Sequence, residues 1–170
     1  MKRQVFLSVA CDVDPETPRN SVFDETTDHA FVWQGISSGV PLLRSRLREC
    51  SELPTEFRTL PVSWLLRADR QITAIYNDPA YCYEAYCDLW EAEQEAGSEI
   101  GWHPHLCQWD PMFNDWGPCE ADVPSREHLR KCLAALRQYA PVTVLRTGWD
   151  AHSTELMTFF DSLNLRVDAS

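Results

Sequence analysis

Residues 99–105 of the chain read EIGWHPH, an apolar stretch that leads directly into two histidines, His103 and His105. Residues two apart on an extended strand point to the same side, so a strand ending here would project both imidazoles together. A similar pair stands near the N-terminus, where Asp12 and Asp14 follow an apolar run. Two carboxylates and two imidazoles, each pair at the end of a predicted strand, can converge into a metal site that activates water.

Around these pairs the sequence alternates between apolar runs and amphipathic stretches. The runs predict five strands, over residues 4–10, 61–66, 98–103, 142–145 and 165–167. The amphipathic stretches predict a helix that begins at Pro41, with Leu42, Leu43 and Leu47 on one face, and further helices over residues 79–96, 125–139 and 153–163. Residues 15–40 and 106–124 are predicted to be long loops. This alternation predicts βα units and a parallel sheet, in a single α/β domain covering residues 1–170.

Ionisable side chains follow four of the predicted strands. They are Asp12 and Asp14 after the first strand, Arg67 and Asp69 after the second, His103 and His105 after the third, and Arg146 after the fourth. In parallel α/β folds the active site lies at the carboxyl ends of the strands, so we expect the functional site at this edge. For Arg67 and Asp69 the sequence leaves two interpretations open, a mutual ion pair or a role in substrate binding.

Composition limits the classes of partner. The chain has 170 residues, enough for one domain with a core, and 44% of them are hydrophobic. Its formal net charge of −11 argues against binding to nucleic acid or to anionic membranes, which favour basic patches. No apolar run is long enough for a signal peptide or a membrane span, so we expect a cytoplasmic protein. The seven cysteines form no CxxC pair and are expected to be free thiols.

Three motifs resemble, in order, those of the polysaccharide deacetylase (NodB-homology) family. Residues 12–15, DVDP, resemble the first motif, a strand that ends in two acidic residues and a proline. Residues 99–103, EIGWH, resemble the second, and residues 145–149, LRTGW, resemble the third, an arginine and a glycine after a strand. The resemblance implies a parallel-stranded distorted or incomplete (β/α) barrel. It also implies metal-dependent removal of acyl groups, mostly acetyl, from N-acylated sugars.

The resemblance implies roles for individual residues. Asp12 corresponds to the catalytic base, Asp14 to the metal-binding aspartate and His103 to the first metal-ligand histidine. Arg146 corresponds to the arginine that orients the base, and Trp149 to a wall of the substrate groove. The implied cofactor is a divalent metal, with zinc as the first expectation and cobalt or another ion as alternatives.

The sequence departs from the family pattern at two places. The family's second histidine lies four residues after the first, where this chain has Cys107. Either His105 takes its place, or Cys107 is a ligand. The chain also ends before the family's later motifs, which include a late histidine used as general acid. We therefore expect a domain truncated to about five strands, with its general acid unassigned.

Aromatic and acidic residues near the strand ends are candidates for substrate contact. Tryptophans that could stack on sugar faces are Trp102, Trp109, Trp116 and Trp149, whereas Trp33, Trp64 and Trp90 are expected in the core. Asp69 is a further candidate for substrate binding.

The predicted function is hydrolysis of a non-peptide carbon–nitrogen amide bond, with an N-acetylated sugar or glycan as substrate. The first alternative is hydrolysis of another small amide, or of an ester, on the same scaffold. The second is a non-catalytic fragment that acts in binding or association. A parallel sheet with an unpaired last strand invites pairing with a second copy, which would give a homo-oligomer.

Overall fold

The computed structural model describes residues 8–15, 33–113, 115–119, 123–165 and 167–168. Its strands, in chain order, are β1 (Ala10–Val13), β2 (Ser63–Leu66), β3 (Glu99–Trp102), β4 (Cys107–Asp110), β5 (Asp115–Pro118), β6 (Val144–Leu145) and β7 (Val167–Asp168). The α-helices are α1 (Val40–Glu49), α2 (Arg70–Tyr76), α3 (Tyr81–Glu84), α4 (Cys87–Glu95), α5 (Val123–Leu136) and α6 (Thr154–Asp161). A π-helical turn at Gly35–Gly39 and 3₁₀ turns at Thr55–Phe57 and Gly148–Asp150 complete the elements.

Five strands form one parallel sheet in the order β1-β2-β3-β6-β7, which confirms the predicted α/β class. The register aligns the last residues of four strands. Val13 lies opposite Leu66, Leu66 opposite Trp102, and Trp102 opposite Leu145. Because the strands are parallel and end together, the residues that follow them leave the sheet along one edge.

Glycine is required at the centre of this sheet. A Cβ on Gly101, in β3, would lie 2.3 Å from Leu65 Cδ2 and 3.1 Å from the Val144 carbonyl oxygen. A side chain of one flanking strand and the backbone of the other therefore occupy the space that a larger residue would need. Gly97, which follows the end of α4, has a φ of +91°, a left-handed conformation that glycine adopts without strain.

The core contains the three tryptophans expected there. Trp33 is 4% exposed, Trp64 1% and Trp90 0%. The rings of Trp64 and Trp90 pack 6.0 Å apart, and the Trp90 indole N–H donates to the Cys82 carbonyl. These large side chains, together with the buried leucines of α5, cover the sheet and position its edge.

The structure differs from the sequence-based expectations in several elements. The first strand covers Ala10–Val13, later than residues 4–10, of which residues 4–7 lie outside the described part. The expected loop at 106–124 contains the antiparallel hairpin β4–β5, whose paired Trp109 and Trp116 rings lie 5.9 Å apart. The helix α2 was not predicted, and the helix expected over 79–96 is divided into α3 and α4. Of the expected loop at 15–40, residues 16–32 lie outside the described part.

Helix α1 begins beside Pro41 as predicted, but its predicted apolar face is not buried. Leu42 is 56% exposed and Leu43 37% exposed. The helix is instead attached through Arg44, whose guanidinium donates to the buried carboxylate of Glu93 and to the Leu60 carbonyl. A long-range ion pair therefore sets the orientation of α1, which the local pattern does not reveal.

None of the helices in the described part of the chain has the length and apolar character that crossing a bilayer requires.

Candidate metal centre

The aligned strand ends bring four chemically active side chains to one edge of the sheet. Asp14, Arg67, His103 and Arg146 each stand one residue beyond the aligned row of the register. Backbone hydrogen bonds continue the ladder past that row, from His103 N to the Leu66 carbonyl at 2.8 Å and from Arg146 N to the Trp102 carbonyl at 3.0 Å. The positions of these side chains therefore follow from the sheet itself rather than from loops.

Three side chains meet at this edge with atoms that can bind a metal. His103 Nε2 lies 3.5 Å from Asp14 Oδ2, His105 Nε2 lies 3.5 Å from Asp14 Oδ1, and the two Nε2 atoms are 3.2 Å apart. Among the described residues, this is the one group of three or more such side chains close enough to share an ion. The predicted ligands Asp14, His103 and His105 are therefore brought together.

The spacing and chemistry of these atoms fit a small divalent cation. Ligands at about 2.0–2.1 Å from a tetrahedral zinc lie about 3.3–3.4 Å from one another, close to the separations found here. The Nδ1 of His103 donates to the Arg146 carbonyl at 2.8 Å, so in the neutral ring the Nε2 lone pair faces Asp14 and His105. Three electron-pair donors that face one another repel unless a proton or a cation lies between them.

His105 has the protonation state that metal binding requires. Burial, together with the charge of Arg67, lowers the pKa of His105 to about 4, so the ring is neutral near pH 7. Its Nδ1 is buried and has no hydrogen-bond partner among the described residues. Neutral imidazole is the form that binds a metal.

The acidic member of the triad, Asp14, is held as a carboxylate. Burial raises the pKa of Asp14, but its contacts with His103, Arg67 and His105 outweigh burial and hold the pKa well below its usual range. Asp14 is therefore a carboxylate near pH 7.

Beside the triad, Arg146 binds Asp12. Its Nη1 donates to both carboxylate oxygens of Asp12, at 3.1 and 3.2 Å, and both side chains are about one third exposed. Asp12 Oδ1 also lies 3.8 Å from His103 Nδ1. The predicted base and its orienting arginine are therefore paired, next to the triad and open to solvent.

The turn after Arg146 closes over His105. A Cβ on Gly148 would lie 1.9 Å from His105 Cδ2 and 2.2 Å from its Nε2, so only glycine fits. Trp149 follows with φ 56° and ψ 30°, a left-handed conformation that is strained for tryptophan. Its ring lies 4.7 Å from the His105 ring, and the residue is 50% exposed.

Two predicted substrate contacts are wrong. Trp102 is 0% exposed, its N–H donates to the Ala68 carbonyl, and its ring packs against Phe160. Asp69 is also 0% exposed, and its carboxylate accepts from Arg67 and from the first backbone amides of α2. Neither side chain can reach a substrate. The alternative interpretation of Arg67 and Asp69 as an ion pair is confirmed.

The structure favours His105 over Cys107 as the third ligand. The Cys107 thiol lies against Asp69 Oδ1 at 4.0 Å, and burial raises its pKa to about 12. The sequence did not predict two contacts of this site, that of Gly148 with His105 and that of Arg67 with Asp14. The motif containing Gly148 was visible, but its partner lies 43 residues away.

Comparisons of the chain with protein-family models, with curated proteins and with solved structures returned no match.

Proposed function

We propose that this protein is a metal-dependent hydrolase of an amide carbon–nitrogen bond, of the polysaccharide deacetylase type, that deacetylates an N-acetylated sugar. The observation that carries the proposal is the convergence of Asp14, His103 and His105 within 3.2 to 3.5 Å beside the Asp12–Arg146 pair. The same proposal makes the sheet part of a distorted, incomplete (β/α) barrel.

The three side chains would hold a divalent ion, with zinc as the first candidate. Three protein ligands leave a coordination position open, which is typical of catalytic rather than structural zinc. When bound, such an ion supplies Lewis acidity toward an amide carbonyl and a lowered pKa for water.

The chain's own residues supply the remaining functions. Asp12 is one third exposed beside the triad, so it can accept a proton from an attacking water. Arg146 fixes the direction of that carboxylate through hydrogen bonds to both of its oxygens. The exposed Trp149 offers an aromatic face on which a sugar ring can stack, as amphipathic aromatic surfaces commonly do.

The formal charge of the ionisable side chains around the triad suits amide hydrolysis. Three carboxylates, Asp12, Asp14 and Asp69, face two guanidiniums, Arg67 and Arg146, so the formal charge of these side chains is −1. A divalent cation would convert this negative cluster into a positive one. A positive site stabilises the negative charge that develops on the carbonyl oxygen during amide hydrolysis.

Metal content is the direct test. Purified protein is incubated with zinc, dialysed and analysed by atomic spectrometry, beside His103→Ala and the exposed-histidine control His152→Ala. We expect about one equivalent of zinc in the wild type and in His152→Ala, and none in His103→Ala. Acetate release from chitin oligomers and from small N-acetyl amines then defines the substrate. A folded wild type that binds neither zinc nor cobalt would reject the proposal.

A further inference from the structure

One buried ion pair contacts both the Asp14 carboxylate and the segment that carries His105. Arg67 is 3% exposed and Asp69 is 0% exposed. Arg67 Nε donates to Asp69 Oδ2 at 2.5 Å. Both residues lie between the end of β2 and the start of α2, one strand away from β1 and one from β3.

The arginine reaches the acidic ligand. Arg67 Nη1 donates to Asp14 Oδ1 at 3.1 Å, and Nη2 donates to Gln71 Oε1 at 3.0 Å. Every nitrogen of the guanidinium therefore has a different acceptor, in the fixed planar arrangement that only arginine provides. The ammonium of a lysine is a single point and cannot reach three acceptors in these directions.

The aspartate reaches the histidine ligand. Asp69 Oδ2 accepts from the backbone N–H of His105 at 3.2 Å. Its Oδ1 accepts from the N–H groups of Gln71 and Ile72, at 3.0 and 3.2 Å, and so caps α2. The first turn of α2 therefore holds the Asp69 carboxylate in place. The carboxylate in turn holds the backbone of His105, 36 residues further along the chain.

Stability alone is a poor explanation for this pair. Removing two charges from water costs about as much as their attraction returns, and buried ion pairs can often be replaced by apolar residues without loss of stability. This pair instead connects Asp14, which follows β1, with His105, which follows β3. Apolar residues could not hold these two residues in position in this way.

We propose that Arg67 and Asp69 are positioning residues of the metal centre, which fix the Asp14 carboxylate and the His105 backbone before an ion binds. The inference rests on the proposed metal-dependent function. Partners of this kind, which contact the ligands rather than the ion, typically change metal affinity by about 10–100-fold.

The test compares two pairs of matched variants by Co²⁺ titration, followed through visible absorption. Arg67→Lys keeps the charge and loses the planar contacts. Its control is Arg44→Lys, a partly buried arginine that pairs with Glu93 and also donates to the Leu60 carbonyl and to Ser98 Oγ, at the opposite ends of β2 and β3.

The second pair changes an aspartate whose Oδ1 accepts from the backbone N–H two residues further along the chain. Asp69→Asn keeps an oxygen for the cap of α2 but presents an amide donor toward Arg67 and His105. Its control is Asp78→Asn, whose Oδ1 accepts from the Ala80 N–H in the same manner away from the triad.

We expect Arg67→Lys and Asp69→Asn to raise the Kd for Co²⁺ by at least about tenfold and to alter the visible spectrum, which reports ligand geometry. Both controls should leave Kd and spectrum unchanged. Equal Kd values in all five proteins would overturn the inference and leave the proposed function standing, whereas a wild type that binds no Co²⁺ would overturn both. If Arg67→Lys does not fold, Gln71→Met removes one partner of the guanidinium without stranding a charge. An unchanged Kd in that variant would also overturn the inference.

Discussion

Gly148 lies directly against the ring of His105, so closely that a single added methyl group at Gly148 would overlap the imidazole. No left-handed backbone angle is found at Gly148, so alanine meets no barrier there other than this overlap. Gly148→Ala is therefore expected to displace His105 and to raise the Kd for zinc or cobalt by at least about tenfold, the scale of changes that reorient a ligand.

The matched control for this substitution is Gly117→Ala, because a Cβ at Gly117 meets nothing within 4 Å. Its metal affinity should equal that of the wild type. If Gly148→Ala also binds metal normally, the turn after Arg146 does not determine the position of His105.

Cys107 is expected to be dispensable for metal binding. A cysteine binds metals as the thiolate, but burial and the neighbouring Asp69 carboxylate raise the pKa of this thiol to about 12. Cys107→Ala should change the Kd for zinc less than twofold. Substitutions of residues that contact a metal ligand typically weaken metal binding by about 10–100-fold. Because His105 is itself a proposed ligand, His105→Ala should weaken zinc binding by more than this. A larger loss in Cys107→Ala than in His105→Ala, measured with the exposed-cysteine variant Cys87→Ala as reference, would reverse the ligand assignment.

The strand ends that carry Asp14 and His103 were predictable because two local signals coincide there. Apolar runs mark the buried parallel strands, and polar residues spaced two apart mark where each strand leaves the sheet. The positions of Asp14 and His103 follow from these signals together with the rule that parallel strands end at a common edge.

The placement of Trp102 could also have been derived from the sequence. Adjacent residues on a strand point to opposite faces, so the tryptophan next to His103 must face away from the site. In the structure it packs against Phe160 of α6. Proximity in sequence to a ligand was therefore a misleading reason to assign it to the substrate.

Other features depend on contacts between distant segments. The contact of Arg67 with Asp14 joins residues 53 apart, and the contact of Arg44 with Glu93 joins residues 49 apart. No local periodicity encodes either contact. The hairpin β4–β5 was not predicted for a different reason. Its prolines and glycine are equally typical of an irregular loop.

Acid should destabilise the metal-free protein through His105. Burial lowers the pKa of His105 from about 6.5 in the unfolded chain to about 4. Between these values the unfolded state binds a proton that the folded state does not, so the free energy of unfolding falls as the pH decreases from 6.5 to 4. The expected loss is about 3 kcal/mol.

Urea unfolding between pH 4 and pH 7.5 measures this dependence. His105→Gln should show a shallower decrease over that range, and the exposed-histidine variant His152→Gln should match the wild type. If His105→Gln keeps the full pH dependence, another group is responsible for the acid sensitivity.

The effect of the strained backbone at Trp149 on stability can be measured separately from the effect of its indole ring. Trp149→Ala and Trp149→Gly both remove the indole, but only glycine adopts φ 56° without strain. Trp149→Gly is therefore expected to be more stable than Trp149→Ala by about 1 kcal/mol in chemical denaturation. The same two substitutions at Phe113, which is exposed and has no positive φ, should not favour glycine. Equal stability of the two Trp149 variants would show that the conformation stores no strain.

Asp12 and Arg146 are expected to matter for catalysis and not for stability. Their ion pair is partly exposed, and such pairs contribute about 0–1 kcal/mol to folding. A positioned general base contributes about 10²–10⁴-fold to the rate, so Asp12→Asn should lower kcat by that factor while binding one equivalent of zinc. Because Arg146 acts through Asp12, the double variant Asp12→Asn/Arg146→Met should be no slower than Asp12→Asn alone.

The reference for these variants is the exposed pair Glu127 and Arg130, whose neutral substitutions should leave both kcat and stability unchanged. Metal content, circular dichroism and initial rates of acetate release separate the possible results. A further loss of rate in the double variant would mean that Arg146 acts independently, for example by contacting the substrate. An Asp12→Asn variant with wild-type kcat would remove Asp12 from the mechanism, and the base would have to be sought elsewhere along the same edge of the sheet.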